Sequence, residues 1–196
     1  MKILSNISAI GSIIGFLIPY FSAINDNTTA ETSSFQFICL IVFVISSIIV
    51  LYLEYKNRPK IYKGEKEIAN YMLNWISEPG RTVILTRDMS WASSSNIMNK
   101  LIDKSRNKEL MLFMFKKTKD AKTLEDLGAE VYEYYQLNFT PESRFTIIRF
   151  GRSDAKLAIG RTGNKGEHII TEFECGIHPQ FHIALDLVTI LKEINK

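Results

Sequence analysis

Hydrophobic positions follow two different patterns along this chain. The first pattern is a pair of long apolar runs near the N-terminus. Residues 35–55, FQFICLIVFVISSIIVLYLEY, carry no charge before Glu54. About 20 helical residues cross a hydrocarbon core of about 30 Å, so this run predicts a transmembrane helix. We expect Phe43, Ser46 and Ser47 to lie within that span.

The second apolar run, residues 7–24, reads ISAIGSIIGFLIPYFSAI and predicts another membrane helix. Gly11, Gly15 and Pro19 lie inside it, and membrane helices tolerate such residues better than soluble helices do. The Gly11–Gly15 spacing also permits close helix contact, although ordinary membrane composition is the simpler explanation. A cleaved signal peptide is the alternative, but the only early basic residue is Lys2 and no convincing cleavage site follows.

The distribution of charge predicts how these runs are oriented. The loop at residues 25–34 holds Asp26 and Glu31 but no basic residue. The run at residues 35–55 is followed by five basic side chains: Lys56, Arg58, Lys60, Lys63 and Lys66. By the positive-inside rule, both termini are expected in the cytoplasm. The prediction is a transmembrane helical hairpin over 1–55, a basic juxtamembrane linker over 56–64 and one cytoplasmic domain over 65–196.

From residue 65 onward, apolar positions alternate between helical and strand spacing. Helices are predicted at residues 65–77, 96–105, 121–127 and 179–194, and strands at 82–86, 110–115, 130–135, 145–150, 155–159 and 168–173. The first half reads β-α-β-α-β, which is typical of parallel strands with crossover helices. Turn signals separate the last three strands. The domain is therefore predicted to be α/β with a mixed sheet.

Composition limits the kinds of ligand and catalytic site that this chain is expected to have. The chain has 196 residues, 46% hydrophobic, and a formal charge of +3, a modest basic excess that permits an anionic partner without requiring one. Cys39 and Cys175 form neither a disulfide framework nor a metal site. Glu172, Glu174 and the nearby histidines match no metal-ligand spacing. No glycine-rich phosphate loop, nucleophile elbow or zinc motif is present, so no cofactor is predicted.

The turn after the first predicted strand is a candidate binding site. Open α/β sheets place ligands at the carboxyl ends of strands. Arg87 could bind a phosphate through its forked guanidinium group, and Trp91 could stack on a base. The alternative, slightly favoured, is that Asp88 or Ser90 caps the next helix while Trp91 covers the edge of the core.

Two further groups of basic residues are candidates for anion binding. The hairpin region holds Arg144, Arg149, Arg152, Lys156, Arg161 and Lys165. Because side chains alternate along a strand and a turn intervenes, these residues need not share a face, and a solvated hairpin is the simpler interpretation. Another basic stretch over residues 100–122 could lie against anionic headgroups. The candidate binding residues are thus Arg87, Asp88, Trp91, Arg144, Arg149 and Arg152.

The order of elements from residue 65 resembles a phospholipase D-like domain. The resemblance rests on the alternating first half, the hairpin SRFTIIRFGRSDAKLAIGR, the strand HIITEFECG and the long terminal helix. Active members carry a His-x-Lys pair, but here Arg144-Phe145-Thr146 stands at that position. Arginine stays protonated and cannot replace the nucleophile. The resemblance therefore implies a degenerate member without catalytic residues.

The overall architecture resembles the two-transmembrane effectors of bacterial anti-phage defence, including the retron-associated ones. That resemblance implies an inner-membrane toxin that contacts lipid, forms a homo-oligomer when active and disrupts the membrane. It also implies a trigger at the cytoplasmic domain, either a reverse transcriptase with its msDNA or a nucleotide signal.

Two other functions remain open. One is a membrane-tethered phosphodiesterase or nuclease with an unrecognised site near Asp88, Glu172 and His178, and the other is a non-catalytic scaffold. Clustering of Arg87, Asp88 and Arg144 around one pocket would favour ligand sensing. A carboxylate–histidine pair in that pocket would favour an enzyme, and a flat basic face would favour docking of a macromolecule.

Overall fold

The computed structural model describes residues 30–56, 58–137, 141–142, 144–164 and 167–195, with side chains from residue 41 onward apart from Lys56. The chain divides into two compact units, Met1–Asn57 and Arg58–Lys196.

The described part of the N-terminal unit is one helix, α1 (Ala30–Lys56). Most of its large apolar side chains from Ile41 onward are exposed. The hydroxyl groups of Ser46 and Ser47 each donate to the carbonyl oxygen of Phe43, at 2.8 Å. Both hydroxyls are therefore satisfied within the helix itself.

The predicted transmembrane hairpin is wrong as a description of this fold. Among the described residues, no helix is both long and apolar enough to cross a membrane. The other predicted span, with Gly11, Gly15 and Pro19, lies outside the described residues.

The C-terminal unit is built on a mixed seven-stranded sheet in the order β1-β7-β6-β5-β2-β3-β4. The strands are β1 (Lys60–Tyr62), β2 (Thr82–Thr86), β3 (Leu110–Met114), β4 (Glu130–Glu133), β5 (Arg144–Ile148), β6 (Lys156–Thr162) and β7 (His168–Glu174). Strands β2, β3 and β4 run parallel, and all other neighbouring pairs are antiparallel. The direction of pairing thus changes at β2.

Helices cover both faces of the sheet. They are α2 (Glu65–Ile76), α3 (Ser95–Arg106), α4 (Lys119–Asp126) and α5 (Pro179–Ile194), with short 3-10 turns at Ser90–Ala92 and Tyr135–Leu137. Successive strand side chains point to opposite faces. Ile84 and Leu112 therefore join the core under α2, α3 and α4, whereas Leu85 and Phe113 join the core under α5.

The segment predicted as a linker, residues 56–64, contains the edge strand β1. This strand pairs with β7 in antiparallel register, with Ile61 opposite Ile169. Its three residues, Lys-Ile-Tyr, are too few to show a hydrophobic period, and they lie within a run of basic residues. The sheet therefore begins before the predicted start of the domain.

Candidate ligand-binding site

Two rows of residues cross one face of the sheet near the end of β2. In the first row, Arg144 lies opposite Gly160, and Gly160 lies opposite Ile170. In the second row, Thr146 lies between Ile84 on β2 and Ala158 on β6. The two rows are two residues apart along each strand, so they share a face.

The small residues in these rows leave a cleft between the sheet and α2. Thr146, Ala158 and Gly160 form its floor, and Tyr71 and Met72 of α2 line the opposite wall. The cleft has a volume of about 620 Å³. Cavities that hold small organic ligands fall within about 300–1,000 Å³. The cleft is thus large enough for more than a simple ion.

Basic side chains outnumber acidic ones around the cleft. The described basic residues that line it, apart from histidine, are Lys66, Arg87, Arg144 and Arg161, and the acidic ones are Glu65 and Glu142. Arg87 directly follows β2, and Arg144 begins β5, the antiparallel neighbour of β2. Neither arginine forms an ion pair with any described residue. Their guanidinium groups are therefore available to an anion.

Asp88 shapes the turn that carries Arg87. Its Oδ1 atom accepts hydrogen bonds from the backbone N–H and the hydroxyl of Ser90, at 3.0 and 2.7 Å. These bonds from Ser90, and to a lesser extent the charges of Arg144 and Arg87, hold the pKa of the Asp88 carboxyl below its ordinary value. Asp88 thus acts as a turn residue that stays ionised close to both arginines.

Trp91 forms part of the cleft wall. Its indole N–H donates to the hydroxyl of Thr86 at 3.2 Å, and its ring packs against the core under α2. Thr86 in turn donates to the carbonyl oxygen of Asp88 at 2.6 Å, and its own carbonyl oxygen accepts from Tyr134 at 3.0 Å. The position of the indole is therefore fixed by the end of β2.

The structure separates the other two predicted arginines from this cleft. Arg149 donates to Glu78 at 2.6 Å and to Asp154 at 3.0 Å, while Arg152 donates to Asp154 at 2.9 Å. Arg149 follows the last residue of β5, at the opposite end of that strand from Arg144. Arg149 and Arg152 thus belong to an ion-pair network at another end of the sheet.

The residues suggested for an unrecognised catalytic site do not meet. Glu172 accepts hydrogen bonds from Lys60 at 2.5 Å and from Tyr71 at 3.1 Å, on the α2 face of the sheet. The ring of His178 lies edge-on to Phe173, which packs in the core under α5. Within the described ranges, no group of His, Cys, Asp and Glu side chains could hold a metal ion.

Thr146, Ala158 and Gly160 were not among the sequence candidates. A signal for them exists, because glycine within a strand often marks a place where a ligand approaches the backbone. Gly160 does lie inside β6. Its significance depends on register, since only the pairing with Arg144 puts it on the floor of the cleft.

No family model matches this chain, and no curated protein is significantly similar to it in sequence. The resemblances to phospholipase D-like domains and to two-transmembrane effectors therefore stay predictions.

Proposed function

We propose that the C-terminal unit binds a small phosphate-bearing ligand in the cleft between α2 and the sheet. The observation that carries this proposal is the pair Arg87 and Arg144, two arginines of the cleft that form no ion pair with a described residue, although the Asp88 carboxylate lies close to them. Asp88 supplies one negative charge near these two positive ones, so a bound anion would offset the positive charge that remains.

The contrast with three other arginines of the unit supports this function. Arg81, Arg149 and Arg152 each form an ion pair with a carboxylate. A guanidinium group presents a rigid fork of donors that matches a phosphate in bidentate geometry. Arg87 and Arg144 have this chemistry, and both line the cleft.

The place of the cleft in the sheet also supports ligand binding. Strand β2 is the point where parallel pairing with β3 gives way to antiparallel pairing with β5. Ligands of open α/β sheets bind outside the carboxyl ends of the strands. Arg87 lies directly beyond that end of β2.

The proposal is binding without turnover. At the position of the phosphodiesterase motif the chain has Arg144 and Thr146, and neither supplies an imidazole nucleophile. Asp88, the carboxylate that directly follows Arg87 in the chain, accepts two hydrogen bonds from Ser90. The expectation that such binding controls a membrane-disrupting effector of anti-phage defence, through msDNA or a nucleotide signal, stays a prediction.

The test is a calorimetric titration of the full chain with inorganic pyrophosphate and with AMP. We expect Arg87→Ala and Arg144→Ala each to weaken binding of at least one of these probes about 10-fold, because each removes a charge-assisted hydrogen-bonding group. Arg106→Ala removes an exposed arginine at the end of α3, outside the cleft, and serves as the matched control. Unchanged affinity in both cleft variants, or no binding of either probe, would reject the proposal.

A further inference from the structure

We propose that the ligand of this cleft is a nucleoside phosphate, with its phosphate on Arg87 and Arg144 and its base over the floor, where the hydroxyl of Thr146 reads the base. This inference rests on the proposed function, because it names the class of ligand for the same site.

The shape of the cleft favours a flat group. Thr146 and Ala158 lie side by side in register on β5 and β6, and Gly160 lies two residues further along β6. A Cβ atom built on Gly160 would meet only the carbonyl oxygen of Arg144, at 3.9 Å. These three positions of the floor therefore carry small residues. Tyr71 and Met72 face it from α2 and could cover one side of a planar ring.

The spacing of Arg144 and Thr146 matches a ligand with two ends. Arg144 and Thr146 are two positions apart on β5, so they are about 7 Å apart along the strand. A phosphate held by Arg144 and a base lying over Thr146 would thus be joined by a sugar. A bare phosphate would leave most of the about 620 Å³ unfilled.

The hydroxyl of Thr146 distinguishes a base from an acyl chain. Thr146 is only 4% exposed, and its hydroxyl has no hydrogen-bond partner among the described residues. An acyl chain above this hydroxyl would shut it off from water without giving it a partner, which costs free energy. The edge of a nucleobase carries donors and acceptors that would satisfy it. The chemistry of the floor therefore favours a base.

The experiment compares six compounds in calorimetric titrations of the full chain. AMP, GMP, CMP and UMP each carry a base, ribose 5-phosphate lacks the base, and octyl phosphate replaces it with an alkyl chain. We expect at least one nucleotide to bind at least 10-fold more tightly than both ribose 5-phosphate and octyl phosphate. Thr146→Val should weaken that nucleotide about 10-fold and leave ribose 5-phosphate unchanged.

Thr82→Val is the matched control, because Thr82 is also a buried threonine of the sheet but lies outside the cleft. It should leave every affinity unchanged, and thermal melting verifies that both variants fold. If ribose 5-phosphate or octyl phosphate binds as tightly as the best nucleotide, the ligand is not a nucleotide although anion binding stands. If Thr146→Val leaves nucleotide affinity unchanged, the hydroxyl of Thr146 does not read the base, and that part of the inference is overturned. If none of the six compounds binds, anion binding and the nucleotide inference are both overturned.

Discussion

The ammonium group of Lys104 donates a hydrogen bond to the carbonyl oxygen of Gly80, 2.6 Å away, and another to that of Glu78, at 2.9 Å. Lys104 lies on α3 and is only 6% exposed, and burial lowers the pKa of its amine. The two carbonyls belong to the loop between α2 and β2. A lysine from the basic stretch at 100–122 thus fixes the entrance to the strand whose other end carries Arg87.

Replacing Lys104 with Met tests this role, because Met keeps the apolar stem and removes both hydrogen bonds. We expect the free energy of unfolding to fall by about 2 kcal/mol, since two carbonyl groups beside a buried side chain lose their donor. Urea unfolding measures the change. Lys100→Met, at an exposed position on the same helix, should alter stability by less than about 0.5 kcal/mol. Equal losses in the two variants would contradict the assigned role of Lys104.

The helices and strands of the C-terminal unit were largely predictable because their patterns are long and unambiguous. The apolar runs TVILT and LMLFM became β2 and β3, and all five residues of each are buried. Strand β1 was not predicted. Two of its three residues are exposed, so the strand shows no alternation of buried and exposed positions. The apolar run at 35–55 suggested a membrane span because the hydropathy of a sequence shows only how long an apolar segment is.

The sequence indicated which types of residue form the candidate site, but it did not show which of those residues lie together. The sequence marked Arg144, Arg149 and Arg152 equally, since all three are arginines within one hairpin. Only the fold shows that Glu78, far away in the chain, pairs with Arg149 and leaves Arg144 without such a partner among the described residues. The cleft floor depends on register across three antiparallel strands, and a sequence does not state register.

The hydrogen bonds between Ser90 and Asp88 allow a prediction about the pKa of Asp88. Ser90→Ala removes the hydroxyl that does most to lower the pKa of Asp88, so we expect that pKa to rise toward its ordinary value. Carbon-13 NMR of the carboxyl group measures the shift. Ser95→Ala, at an exposed serine outside this hydrogen-bond group, is the control. A pKa of Asp88 that stays unchanged in Ser90→Ala would show that the hydroxyl is not its main determinant.

The same hydrogen bonds predict how the effect of Ser90→Ala depends on pH. A carboxyl group with a depressed pKa in the folded state stabilises the fold above its unfolded pKa of about 3.9. That contribution is lost as the pH falls through the folded pKa. The destabilisation caused by Ser90→Ala should therefore be larger at pH 7 than at pH 2, as measured by urea unfolding at both values. An equal loss at both would mean that the ionised carboxylate is not involved.

Replacing Thr82 with Val is expected to stabilise the protein. It is fully buried in β2, and its hydroxyl has no partner in the part of the chain that the structure describes. Thr82→Val removes an unsatisfied polar group and keeps the shape, so the free energy of unfolding should rise by about 1 kcal/mol. Thr86→Val, on the same strand, breaks bonds to Asp88 and Trp91 and should lower it by about 1 kcal/mol. Urea unfolding that gives both variants the same sign would contradict this assignment.

Gly160 permits a direct test of the cleft as the binding site. Its surroundings leave room for a side chain, because an added Cβ atom meets nothing closer than 3.9 Å. Gly160→Leu should fill the floor and weaken the tightest-binding of the six compounds more than 10-fold in calorimetry, whereas Gly160→Ala, which adds one methyl group, should weaken it less. Both variants should keep the thermal stability of the parent chain. If Gly160→Leu bound the compound as tightly as Gly160→Ala does, the ligand would have to lie elsewhere, since a branched side chain and a ligand cannot share the same volume.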